Sequence, residues 1–235
     1  MDTQSHQKEI RLTTGQEPLP ITEPHKFIEI ETLHGFTFGR PAFKDAKRFI
    51  EQYEWLGYLG RGRITYAIWK DDLLYGVEVF GPLPYLAARV FPEEVRGHIT
   101  YLSRGACCLQ AGKNAGSMLV GACLRELKRQ GYVLAVAYSD TEAGEGGYLY
   151  KAANFQAAGR TSSKGTAYVL INEKWYSPKS LLNTFGMSNY RKLPYGIQID
   201  GVKFDGSNKR RWAFPLNKKV LPHIPQNWEL GKEHE

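Results

Sequence analysis

Seven apolar or aromatic residues in succession, YVLAVAY at 132–138, run into Ser139-Asp140. A run of that length without polar alternation belongs to a strand covered on both faces. The segment before it places Ala115, Met118, Leu119, Ala122, Cys123 and Leu127 on one stripe, with Arg125, Lys128 and Arg129 outside it. That is an amphipathic helix. Upstream, HITYLSRGACCL (98–109) reads as another strand ending in a turn, and downstream residues 146–153 suit a short helix. A strand, helix, strand, helix succession argues against an all-α or all-β chain. It also locates the best site, because α/β folds hold ligands at strand-to-helix turns and at carboxyl ends of strands.

The rest of the chain adds mostly antiparallel material. FIEIETL (27–33) alternates and reads as a first strand. After Pro41, the residues Phe43, Ala46, Phe49, Ile50 and Tyr53 fall at helical spacing, giving a helix to about Trp55. The glycine-rich GYLGRGR (57–63) breaks the pattern, and RITYAIWK with LLYGVEVF forms a hairpin around Asp71-Asp72. Residues 81–92 carry three prolines and read as a loop. FQAAGRT (155–161) and TAYVLIN (166–172) are expected to close the domain as a hairpin, with SLLNTFG (180–186) as a short helix and KRRWAFPL (209–216) as a late strand. The expected class is α/β (α+β): a mixed, mostly antiparallel sheet with helices on both faces, plus a basic C-terminal extension. In domain terms this means a polar, proline-dotted arm without stable secondary structure at 1–26, the mixed α/β domain at 27–173, and an aromatic, basic extension at 174–235 packed on it.

Hydrophobic residues make up 42% of the chain and aromatics 13%, enough to bury a core. The formal charge is +7, and residues 203–219 alone hold four Lys and two Arg against one Asp, which favours a polyanionic partner. Three cysteines without CxxC spacing argue against a disulfide framework or zinc module and suit a reducing cytosol. No apolar stretch approaches about 18 residues, so the expected setting is cytoplasmic, with no membrane partner.

The element order, the helix start NAGSMLV (114–120) and the closing LYKAANF (149–155) resemble the GNAT acyltransferase superfamily. The pyrophosphate loop of that superfamily would fall on Ala111, Asn114 and Gly116, and two of these three depart from its pattern. A closer resemblance is to the Mom family of phage DNA-modification proteins. It rests on LSRGACC, KNAGS, LRELKR, YSD, GEGGYLYKAANF, GRT and KRRWAFPL in that order, and covers roughly residues 40–220. The resemblance implies a GNAT-like fold and conversion of adenine in DNA to N6-carbamoylmethyladenine, protecting phage DNA from restriction enzymes. The donor stays open between acetyl-CoA and another acyl or alkyl donor. Mom relatives often carry His near the position of Glu54, which implies a metal role there, and Glu54 is itself able to ligate iron; none of the six histidines pairs at ligand spacing. A homodimer is compatible with the sequence.

Four residues are the expected catalytic group. Asp140, at the end of an apolar strand, suits a base, or else a turn or helix cap. Tyr150 suits a proton donor, or a core tyrosine bonded to a backbone carbonyl. Arg104, inside an apolar strand, needs a carboxylate or phosphate, with Asp140 as the candidate partner, unless it faces outward. Ser117, together with Lys113, Asn114 and Gly116, opens the helix where free N–H groups favour an anion of the donor. Tyr53, Glu54, Trp55 and Tyr75 are expected on the acceptor side, and Tyr66 is a further aromatic candidate there. Lys209, Arg210 and Arg211 are expected to meet phosphates, with Trp212 stacking an extruded base; a basic strand with a core Trp is the plain alternative. Adenine would have to leave the stack or lie in single-stranded DNA. The rivals are an acyl-CoA-dependent N-acetyltransferase and a non-catalytic DNA-binding antirestriction protein.

Overall fold

Asp71 and Asp72 take left-handed backbone, φ 51° and 59°, as a two-residue hairpin turn requires. They join β4 (Ile64–Lys70) to β5 (Leu73–Pro82) in antiparallel register. The computed structural model describes residues 17–23, 28–60, 62–141, 143–161, 166–205, 209–228 and 230–231. These fall into two units, Met1–Gly159 with Arg210–Glu235, and Arg160–Lys209.

In the first unit, β1 (Leu19–Pro20), β2 (Ile28–Leu33) and β3 (Phe36–Arg40) precede helix α1 (Phe43–Tyr53). After β5 come the short helices α2 (Tyr85–Ala88) and α3 (Glu93–Arg96), then β6 (Ile99–Cys107), α4 (Ala115–Arg129), β7 (Leu134–Ser139), α5 (Tyr148–Ala152) and β8 (Gln156–Arg160). The last strand of the sheet, β12 (Arg210–Pro215), lies between β7 and β8. The order is β2-β3-β4-β5-β6-β7-β12-β8, with β1 on the start of β5. Of the registered pairs in this sheet, β6 with β7 is parallel and the others are antiparallel. This is the mixed, mostly antiparallel sheet expected. Phe49, Ile50 and Tyr53 of α1 cluster with Val77 and Val79, while Leu119, Cys123 and Leu127 of α4 cluster with Phe80, Ala137 and Trp212. Helices therefore cover both faces.

Two irregularities shape the middle of the sheet. Pairing of β6 with β7 stops after Tyr101 and Val136, so Leu102–Cys107 of β6 and Ala137–Ser139 of β7 part company. On its other side β6 pairs Arg104 with Val79 and Leu102 with Phe80, which leaves Ser103 as the extra residue of a β-bulge. Strict alternation would put residues 102 and 104 on one face. The bulge sends Leu102 into the α4 cluster and Arg104 to the opposite face, the usual effect of a bulge beside a site.

The second unit is built on a three-stranded antiparallel sheet, β10-β9-β11, from β9 (Thr166–Ile171), β10 (Lys174–Tyr176) and β11 (Gly201–Asp205). Helix α6 (Pro178–Phe185), capped by the Ser177 hydroxyl, supplies Leu181 to a small core with Val169 and Ile171. Thr161 N–H donates to the Lys209 carbonyl at 2.9 Å, and Lys209 N–H to the Thr161 hydroxyl at 3.0 Å.

Several expectations change. Much of the arm expected at 1–26 lies outside the described residues, but residues 17–23 carry order: Leu19–Pro20 pairs with Leu73 and Leu74, and buried Asp45 accepts from the Thr22 N–H and hydroxyl and from the Glu23 N–H. Strand β3 was hidden in residues 34–40, where His34 (φ 48°) and Gly35 (φ 83°) make a second tight turn. The region 81–92 holds the end of β5 and helix α2. Among the described residues the expected closing hairpin is not formed: β8 joins the large sheet and β9 the small one. The chain divides at 160 and 209, not at 173. Among the described residues, no helix is long and apolar enough to cross a membrane.

Candidate active site

The parting of β6 and β7 leaves Leu102–Cys107 and Ala137–Ser139 without one another as ladder partners. Arg104 lies there with a side chain 11% exposed. Its carboxylate partner is Glu54, with Nε 3.7 Å from Oε2, and not Asp140. Burial drives this, because α1 ends at Tyr53 on the face to which the bulge has turned Arg104. The glycine-rich loop then folds over the guanidinium. Gly57 and Gly60 take φ of 64° and 75°, Tyr58 offers its carbonyl to Arg104 Nε at 3.1 Å, and its ring lies 4.4 Å from Cζ.

Glu54 is buried at 7% exposure, and the Leu56 N–H donates to its Oε2 at 3.0 Å. Loss of hydration raises its pKa to about 7; Arg104 and the Leu56 N–H oppose the rise without cancelling it, and the nearby Glu145 adds to it. A buried carboxyl poised at neutrality is suited to take a proton from a neighbouring group.

The strand end at β7 is closed by a small loop. Glu145 N–H donates to the Asp140 carbonyl at 2.9 Å, and Asp140 N–H donates to Glu145 Oε2 at 2.8 Å. The other oxygen of Glu145 accepts from Trp55 Nε1 at 3.0 Å, which ties this loop to the end of α1. Tyr101 and Tyr138 meet edge-on across the parting at 5.6 Å. Burial pushes the Tyr101 phenol to about 12 and raises Tyr138, so both are neutral hydroxyls.

Tyr150 reaches the parting from the α4 face. Its hydroxyl donates to the Tyr138 carbonyl at 3.3 Å, and its ring packs on Phe155 and Trp212 at 5.7 and 5.9 Å. Burial, then coupling to the acidic groups of Glu145, Glu78, Tyr101 and Glu54, holds its pKa well above the ordinary phenol value. Its hydroxyl therefore stays protonated at neutral pH. Its neighbour on the helix, Tyr148, points outward and is 80% exposed.

The N-terminus of α4 lies beside that helix, since a Cβ on Gly116 would touch Leu149 Cδ1 at 3.2 Å. Asn114 stands at the N-cap with no side-chain capping bond, and Lys113 is exposed beside it. The Ser117 hydroxyl donates to the Asn114 carbonyl at 3.1 Å. A 15-residue helix whose first turn is open in this way suits the anionic part of a donor.

The structure thus brings together Glu54, Trp55, Arg104, Asp140 and Tyr150, and places Ser117 and Gly116 beside the helix that carries Tyr150. It removes others. Tyr53 is core: its ring packs on Phe49 at 4.7 Å and its hydroxyl donates to the Glu17 carbonyl. Tyr66 is fully buried, and Tyr75 is the extra residue of a second bulge, packed edge-on against Phe36 at 5.0 Å. Trp212 does not stack on a base, since it is 1% exposed and its Nε1 donates to the Ser139 hydroxyl at 2.9 Å. Arg211 spans the Trp228 ring at 4.3 Å and donates to the Ala158 carbonyl, while Arg210 stands opposite Ser139 in register. Glu145, Tyr58, Tyr101 and Tyr138 were missed. Only the bulge and the strand parting bring them in, and neither leaves a sequence signal.

The sequence profile of the Mom protein family matches residues 35–227. This chain belongs to the Mom protein family. Membership supports a transferase. No curated protein matches the sequence. Several solved acetyltransferases are similar in structure. One from Salmonella typhimurium, bound to acetyl-CoA, is 12% identical over 79% of this chain and 96% of its own, with TM-score 0.45. One from Bacillus subtilis in complex with CoA is 16% identical over 73% and 84%, at 0.40. The IAA acetyltransferase of Bacillus cereus is 15% identical over 77% and 99%, at 0.42. For the Mom family member described here, no three His, Cys, Asp or Glu side chains converge as a metal-holding group among the described residues.

Proposed function

We propose that this Mom family member transfers a carbamoylmethyl group to N6 of adenine in DNA, and that the modification shields phage DNA from restriction enzymes. The observation that carries the reading is the pairing, at one strand parting, of a carboxyl poised near pH 7 (Glu54) with a neutral phenol (Tyr150). The exocyclic amine of adenine is a weak nucleophile because its lone pair is delocalised into the ring. Glu54 takes its proton as the new N–C bond forms, and Arg104 stabilises the carboxylate before transfer. Asp140 shapes the loop that holds Glu145 against Trp55. Tyr150 donates a proton toward the departing end of the donor. The open first turn of α4, with Lys113, Asn114, Gly116 and Ser117, holds that donor's anionic part, and CoA would suit this end of the site. Rings of Tyr58, Tyr101 and Tyr138 give a planar base surfaces to lie against.

The test is mass spectrometry of nucleosides from DNA of cells expressing the wild type, Glu54→Gln and Tyr150→Phe. N6-carbamoylmethyladenine in the wild type, reduced about 100-fold or more in both variants, is the expected result. Unmodified adenine with soluble wild-type protein refutes it. Tight acetyl-CoA binding by calorimetry and acetylated products would instead select the N-acetyltransferase reading, which the open α4 terminus also supports. DNA binding with no altered base would select the non-catalytic one.

A further inference from the structure

The small sheet of the second unit has two unlike faces. Val169 and Ile171 of β9 point into the core with Leu181, Tyr176 and Phe185. The alternate residues, Tyr168 and Leu170, share the other face with their registered neighbours Trp175, Gly201 and Lys203. That face is open. Trp175 is 40% exposed, and it lies across Gly201, whose absent Cβ would stand 3.8 Å from the Trp ring. Lys203 Nζ hovers 4.3 Å from the ring centroid. Arg160–Lys209 holds eight Lys and Arg against three Asp and Glu, so about a fifth of the chain carries five of its seven net positive charges.

We propose that this open face is a docking platform for single-stranded or locally opened DNA, with an unpaired base stacked on Trp175 and Lys203 moving from the ring to a phosphate. The proposal rests on the DNA reading given above and moves the nucleic-acid contact from the Trp212 region to a different unit. Charge complementarity selects a polyanion. The flat aromatic on a rigid strand selects one with unpaired bases, because stacking tolerates any base and a base inside a duplex has no free face. An ammonium already resting on the indole fits a surface that accepts cation and base in turn.

The test is fluorescence anisotropy with a labelled oligo-dA strand over a series of salt concentrations, on full-length wild type, Trp175→Ala and Lys203→Glu. Trp175→Ala should weaken binding about tenfold or more with an unchanged salt slope, and Lys203→Glu should lower the slope by about 0.7 or more. Trp175→Phe should restore part of the affinity. Both substituted side chains are exposed, and if thermal melting shows Trp175→Ala misfolded, Lys203→Glu carries the test alone. Unchanged affinity and slope in folded variants overturn the platform. So does a loss confined to vesicles of phosphatidylserine, with oligonucleotide binding intact. Nucleoside mass spectrometry on the same variants separates the two readings. Modified adenine with variant-insensitive binding sinks the platform alone; variant-sensitive binding with unmodified adenine in the wild type sinks the catalytic reading alone.

Discussion

Replacing Arg104 by Gln should raise the pKa of Glu54 above its present value of about 7. The guanidinium lies 3.7 Å from the Glu54 carboxylate, and both side chains are largely shielded from water. At an effective dielectric constant of about 20, that separation corresponds to roughly 4 kcal/mol of attraction, which is a ceiling. Water entering the vacated space returns a large part of it, and a net loss of only about 1.4 kcal/mol still moves the titration by about one pH unit. The Leu56 N–H remains in place and cannot offset this, since it already acts in the wild type. The assay is a pH titration of protein carrying 13C at the glutamate carboxyls, with the Glu54 resonance assigned by its loss in Glu54→Gln. Glu54 should titrate near neutrality in the wild type and near pH 8 or above in Arg104→Gln. The acid limb of adenine modification should move the same way. A wild-type titration near 4.5, or a variant value that falls or stays, would refute the argument that desolvation governs this carboxyl.

Stability should fall as pH rises from about 4.5 to about 7, because over that window the folded chain keeps a proton on Glu54 that the unfolded chain has lost; the loss is on the order of 3 kcal/mol by thermal or denaturant melting, and Glu54→Gln should flatten it. Glu78 adds to the same slope, since complete burial raises its pKa well above the ordinary value and its Oε2 has no hydrogen-bond partner. Gly105→Ala should destabilise by about 1–3 kcal/mol or prevent folding, because its Cβ would stand 2.0 Å from Glu78 Oε2. The double variant Gly105→Ala/Glu78→Ala should recover much of the loss, and additive single effects in urea melts would contradict the register. Trp212→Phe should lower stability by about 1–3 kcal/mol, leaving the Ser139 hydroxyl without its indole partner, while the affinity and salt slope for oligo-dA stay as in the wild type. A selective loss of DNA binding in this variant would restore the stacking role to Trp212.

Long periodic elements were legible in the sequence. The stripe of α4, the run of β7, the Asp71-Asp72 hairpin and the aromatic late strand β12 all carry their period and their turn residues in plain view. What escaped depends on pairing at a distance. The segments 155–161 and 166–172 look like partners because they are adjacent and apolar, yet nothing local tells β8 that β12, some 50 residues on, is its neighbour. The partner of Arg104 escaped for a finer reason. Counting by twos puts residue 104 on the face of residue 102, and only the unpaired Ser103 turns it to Glu54. Asp140 is marked in the sequence by its place at a strand end, whereas Glu145 sits in a glycine-flanked turn that gives no hint of a partner in Trp55.

The two hydrogen bonds between Thr161 and Lys209 carry a consequence for how the chain is connected. They hold side by side two residues that stand 48 positions apart in sequence, next to the strands β8 and β12 that are neighbours in the large sheet. The entropic cost of closing so long a segment grows only slowly with its length, so changes in the length of residues 162–208 should bear little on the pairing of β8 with β12, which melting of length variants would show.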